Sequence, residues 1–401
     1  MAAAVDPSLS AGEFSFSVVQ GGPFYSLRKR LGLVPEKGLG LAPRILAIIL
    51  LTWAPVVIGA VLEGVAFVGP SEDPLLRHFG IHSRLLIAVP LLLLAEFPME
   101  RNVRMVIRHF VQSGIVRPEQ HGDLKSILRS CERLRDSLWG RLLVLAVVAA
   151  VVLLGLSGSE MIHNHELKWA TTGSSADAHA TFAGQWFMYI SRPVYLALLT
   201  VWLWRLIVVW SLMAKVSKLD LHLVPGHPDR AGGLAFLDLI VRACNPLMIA
   251  NSVVLAGRWA HDVKYHQLDV TNLQPVLLVY IAAVLLLFLG PFLMFSKTLL
   301  RFKHHATLQY AVLTGDEGRL IDEKWILRKD VGENALLGPP EIGPMADAIT
   351  LYETVSKIRP FPLGKEALIG LVVATVLPII PVFALQIPLK DLLLKLGAGL
   401  L

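Results

Sequence analysis

An all-α, polytopic helical membrane protein is the fold class this sequence predicts, and three observations predict it. Of 401 residues, 54% are hydrophobic and only 17% charged, with a mean hydropathy of +0.60, whereas soluble domains are about 45–50% apolar. Uninterrupted apolar runs of roughly 17–25 residues recur along the chain, the length that crosses ~30 Å of hydrocarbon. Lys and Arg, finally, are distributed unequally between the segments that join those runs.

Residues 1–43 are polar with interspersed Gly and Pro, and are expected to form a partly ordered cytoplasmic tail. Phe14, Phe16, Phe24 and Tyr25, followed by Arg28, Lys29 and Arg30, suit a positive-inside retention signal first and a segment lying on the headgroups second. No charged stretch leads straight into an apolar core, so the first span is expected to be its own insertion signal. Spans 1 to 6 are expected at about 44–68, from 85 to the Pro98 region, 138–156, 185–213, 234–257 and 275–295, within a membrane domain of residues 44–313. Helical spacing carries span 2 onward through Arg101, Arg104 and Arg108 to residue 116, starts span 3 early at residue 119, and extends span 6 through residue 312. Residues 314–363 form a cytoplasmic segment too short for a dependable core of its own. The last region, 364–401, holds a span at 366–385 broken by Pro378 and Pro381, then an amphipathic tail with Lys390, Asp391 and Lys395. About seven spans are expected in all, or six if those prolines make the last one re-entrant.

The segments read as cytoplasmic (1–44, 98–141, 211–233, 297–365) hold 27 Lys and Arg, and those read as external hold 5. By the positive-inside rule this asymmetry places the N-terminus in the cytoplasm. A net charge of +6 directs the basic loops to anionic lipid. Nucleic acid is excluded as a partner, because the basic residues are spread over separate loops without a binding motif beside them. Cys131 and Cys244 form no CxxC pair and are not expected to form a disulfide.

The chain is organised around Lys215–Asn251. There a turn rich in Pro and Gly, including His227, Asp229, Arg230, Gly232 and Gly233, leads into an apolar run carrying Asp238, Arg242, Asn245 and Asn251. Ionisable groups inside a span are costly and nominate a functional site. Glu96, Arg205, Asp238 and Arg242 are expected at one depth near the cytoplasmic ends of spans 2, 4 and 5. They either lock helices together or, with Asn245, line a permeation or gating path. Asp238 and Arg242 stand i, i+4 and can pair. In the turn, Asp229 is placed to cap span 5. The same geometry suits an anion assisted by Arg230, and His222, His227 and Asp229 are weak candidates for a metal. His163, His165, His179, His261 and His266 match no zinc signature and read first as surface residues. Asn245-Pro246 and Asn251 are read as satisfying a kinked backbone.

No Walker A loop, GxGxxG, GxSxG or HExxH is present, so no enzyme chemistry and no cofactor are nominated. The HPDRAGGLAFL sequence before span 5, together with a Pro-broken last span ending in IPLKDLLLKL, resembles a group of uncharacterised bacterial multi-spanning membrane proteins. The resemblance implies a bacterial inner-membrane location and no activity. The sequence leads to a channel or transporter for a small ion or solute. The alternative is a scaffold or signalling protein recruiting a cytoplasmic partner or anionic lipid, and a closed homo-oligomer suits a pore between subunits.

Overall fold

The structure, a computed structural model, describes residues 14–21, 41–67, 74–156, 169–172, 179–330 and 343–386. Among these, six helices are long and apolar enough to cross a membrane.

The first, Leu41–Leu62, consists of α1 (Leu41–Thr52) and α2 (Ala54–Leu62), parted at Trp53 where Pro55 withholds a backbone donor. The second, Phe79–Gln112, joins α3 (Phe79–His82), a π-helical segment (Ser83–Ala88), α4 (Val89–Leu94) and α5 (Glu96–Gln112). The widened turn lies just ahead of Pro90 and makes room for a ring that would clash with the carbonyl one turn back. The third, Pro118–Leu154, falls in α6 (His121–Arg135) and α7 (Leu138–Leu156). A two-residue antiparallel pair, β1 (Thr171–Thr172) with β2 (His179–Ala180), precedes the fourth. That span, Phe182–Val216, repeats the widened turn: α8 (Phe182–Trp186), a π segment (Phe187–Ser191) ahead of Pro193, then α9 (Arg192–Val216). Glu63, just past α2, accepts from Phe182 N and Ala183 N and so caps α8.

The fifth span, Ala235–Tyr265, contains α10 (Asp238–Ala243) and α11 (Asn245–Tyr265), parted at Cys244 before Pro246. The sixth helix, Val270–Ile326, runs 57 residues through α12 (Leu273–Leu289) and α13 (Met294–Ile321). At 1.5 Å per residue it is about 85 Å long, so more than half of it projects beyond ~30 Å of hydrocarbon. α14 (Gly343–Ser356) folds back against that projection, with Val355 and Ile358 buried beside Ala306.

The seventh expected span is not a continuous helix. α15 (Lys365–Val376) stops after 12 residues, the chain turns at Leu377–Ile379, and α16 (Ile380–Phe383) adds a single turn. Pro378 and Pro381 are the cause, since neither can donate to a carbonyl one turn back. The broken segment nevertheless runs the length of the fifth span. At one end Gly364 N donates to Asp238, where that span begins. At the other, Gln386 bonds Leu268 O and Val270 N, just beyond where it ends.

The second, fourth and fifth spans are central, and the third is the most exposed. Leu46, Leu50, Ile58, Leu142, Leu145, Leu153, Leu278, Val279 and Leu286 face outward. Such a belt would be unfavourable in water, whereas hydrocarbon accommodates it. Phe14 and Phe16 depart from the second of the two readings of this segment: instead of lying on headgroups they are buried, in a strap formed by residues 14–21 across α5 and α6. Glu100 Oε2 accepts from Val18 N and Val19 N, both at 3.0 Å, and Arg135 donates to Ser17 O. Phe24, Tyr25, Arg28, Lys29, Arg30 and the tail after residue 386 lie outside the described residues. Cys131 and Cys244 are buried free thiols.

Candidate functional site

Burying a carboxylate in a membrane bundle requires paired charge. Glu96, at the start of α5, is 2% exposed. Arg44 Nη2 of α1 donates to its Oε2 and Arg205 Nη2 of α9 to its Oε1, each at 2.9 Å. Arg205 also stands 5.1 Å over the Trp202 ring, whose Nε1–H donates to Leu92 O at 2.8 Å. Three spans are thus tied at one point. Arg44 was missed from sequence, because an Arg at the edge of an apolar run reads as an anchor snorkelling to the interface.

Asp238 and Arg242 do not join this cluster, contrary to the single four-residue network expected. Asn102 Nδ2 donates to Leu239 O at 2.6 Å, which sets α10 level with the second turn of α5. Six residues of helix separate Asn102 from Glu96, about 9 Å along the axis. At its own level Asp238 Oδ1 accepts from Gly364 N at 2.9 Å. Arg242 is 2.9 Å from Glu366 in the first turn of α15 and 3.9 Å from Asp238, so the i, i+4 pair is loose and shared with the last segment. A Cβ at Gly364 would fall 2.9 Å from Asp238 Oδ2, so any larger residue would push that carboxylate aside. One turn deeper, Asn245 lies beside Gly370 of α15, and its buried Oδ1 has no hydrogen-bond partner. Asn251 does satisfy the backbone, donating to Leu247 O at 2.8 Å; Asn245 does not. A largely apolar cavity of about 470 Å³ lies between α9, α11 and α12, lined by Trp202, Leu206, Met248, Asn251, Tyr280 and Val284 among others.

The loop before the fifth span is built around Asp229. Its carboxylate accepts from Ala231 N (2.8 Å), Gly233 N (3.1 Å) and Ala235 N (3.0 Å), and His227 Nδ1 is 2.8 Å away. Burial alone would raise its pKa. The N–H groups of Ala235, Ala231 and Gly233, with His227, outweigh that and hold the carboxyl below its ordinary value. The anion reading of this turn is therefore corrected: its own carboxylate occupies the N–H groups an anion would need. Arg230 (φ 53°), Gly232 (φ 63°) and Gly233 (φ 97°) are left-handed, which wraps the backbone round the carboxylate. Arg359 clamps the loop from outside, donating N–H to Arg230 O (2.8 Å) and Nη2–H to Asp229 O (2.9 Å). His222 is exposed and does not complete a metal site with His227 and Asp229; among the described residues no group of three or more His, Cys, Asp or Glu is placed to hold a metal.

Gly233→Ala is expected to cost ~1–3 kcal/mol of stability, since it combines strained φ with a Cβ 3.2 Å from Ile115 Cδ1. Gly114→Ala, also at positive φ (71°) but with nothing within 4 Å, isolates the backbone part and should cost less in the same denaturation experiment.

His261 corrects the surface reading of the histidines. It is 4% exposed, stacks on His78 with ring centroids 4.3 Å apart, and has Nδ1 3.2 Å from Arg77 O. His163, His165 and the side chain of His179 lie outside the described residues. Compared with protein-family models, with curated proteins and with solved structures, the chain matches none, so its site stands on its own geometry.

Proposed function

We propose that the protein moves a small ion or solute across the membrane, as a channel or transporter, with its gate where α15 meets α10 and α11. The observation that carries this reading is the broken last segment lying along the fifth span. Irregular backbone at membrane depth is tolerated where protein buries it or where it lines a cavity, and discontinuous helices at packed interfaces recur in transport proteins. Asp238, Arg242 and Glu366 form the latch at the mouth, and Asn245 Oδ1 presents an open acceptor one turn further in. The excess of Lys and Arg assigns the mouth to the cytoplasmic side, as in a bacterial inner membrane.

Flux of several ions and small solutes into liposomes holding purified protein tests this. Asp238→Asn, Arg242→Gln and Asn245→Leu should each change the rate severalfold while the protein stays folded. Unchanged flux in all three would reject the gate. Persistent absence of flux with folded wild type would favour the second reading, a scaffold. That reading rests on the projecting sixth helix, which exposes Leu308, Val312, Trp325 and Ile326 far from the bilayer.

A further inference from the structure

One cleft at the basic end takes no part in the gate. It lies between the strap and the outer face of α5, measures about 500 Å³, and is lined by Gln20, Phe97, Glu100, Arg101, Arg104, Met105 and Arg108. Spacing explains the lining: Phe97, Arg101, Arg104 and Arg108 recur every three or four residues and so form one stripe along the helix. The strap supplies the second wall and is fixed there by Glu100, whose carboxylate is fully engaged by Val18 N, Val19 N and Arg104 Nε.

The charges of the stripe are unequally engaged. Arg104 is held by Glu100 at 2.7 Å and by Gln20 Oε1 at 3.2 Å. Arg101 and Arg108 are exposed and have no ion pair among the described residues. Depth sets the order of chemistry. Phe97, 52% exposed, lies one turn past the exposed Leu94 of the apolar run and so stands at the acyl end of the stripe. The guanidiniums follow over the next three turns, about 6–17 Å nearer the water, where headgroups lie. An apolar floor with planar cations above it matches an acidic phospholipid.

We infer that this cleft is a binding site for one acidic phospholipid, its phosphate held by Arg101 and Arg108 with Arg104 between them and an acyl chain along Phe97. The strap makes it a cleft and not a bare helix face, so one lipid is held in place instead of being exchanged along a diffuse basic patch.

Binding of a fluorescent phosphatidylglycerol to the full chain in neutral-detergent micelles tests the site. Arg101→Gln with Arg108→Gln should weaken binding on the order of tenfold or more. Arg117→Gln with Arg129→Gln removes the same charge from exposed positions outside the cleft and should leave binding within twofold. Phe97→Ala should weaken the lipid severalfold, and inorganic phosphate at millimolar concentration should fail to displace it. Equal losses in the two double variants would mean diffuse attraction and overturn the site. Displacement by inorganic phosphate, with no effect of Phe97→Ala, would make it a small-anion pocket and overturn the lipid assignment. The protein's fold is checked in each variant by the unchanged thermal midpoint in lipid-free micelles.

Discussion

Glu96→Gln is expected to cost roughly 3–5 kcal/mol, the penalty for removing one member of a buried ionic cluster and leaving its partners facing an amide. Arg44 and Arg205 each spend a 2.9 Å hydrogen bond on that carboxylate, in surroundings where neither is more than 7% exposed. Chemical denaturation in neutral micelles reads the loss directly. A complementary variant separates cluster from charge: Arg44, Glu96 and Arg205 all replaced by Met should recover most of that stability, because an apolar set of similar volume no longer has to be desolvated as ions. A Glu96→Gln protein within about 1 kcal/mol of wild type would show that the three charges are not coupled. The result also bears on transport, since loss of flux in this variant would report unfolding and not gating.

The second large effect is expected at Asp229. Asp229→Ala strands the N–H groups of Ala231, Gly233 and Ala235 in a half-buried turn, at a cost of ~2–3 kcal/mol. The same carboxylate makes this contribution pH-dependent. Its folded pKa lies below the ordinary value, so the stabilisation is fully present above an unfolded pKa of about 3.9. It is lost as pH falls further, through the folded pKa. Wild type and Asp229→Ala should therefore converge in stability below about pH 4 and differ by a constant amount at neutral pH. Parallel curves across that range would remove Asp229 from the loop's energetics.

Sequence made the membrane class and the six spans legible because hydrocarbon thickness fixes the length of an apolar run. The helical overrun of the second span was equally plain in the spacing of Arg101, Arg104 and Arg108. The pairing of the charges was not. Glu96, Arg205, Asp238 and Arg242 share a depth when counted in residues. The packing of α10 on α5, fixed by Asn102, moves Asp238 a turn and a half away, and nothing in one chain's residue order reveals that offset. Asp229 was readable as a cap because Asp before an apolar run is a local device. That its own carboxylate fills the would-be anion site depended on three left-handed residues acting together. The headgroup alternative for Phe14 and Phe16 failed for the opposite reason, since aromatics near basic residues look alike whether a headgroup or a protein groove receives them.

The strap carries a consequence for how the chain is made. Its partners, Glu100 and Arg135, lie 82 and 118 residues downstream of Val18 and Ser17. At ~5–20 residues per second of synthesis, the N-terminal segment leaves the ribosome on the order of ten seconds before the surfaces that receive it exist. Its docking therefore cannot precede α5 and α6, and it closes over the second and third helices only after both have formed. The strap is in this respect a fastening, and its attachment marks a second and third helix already in place.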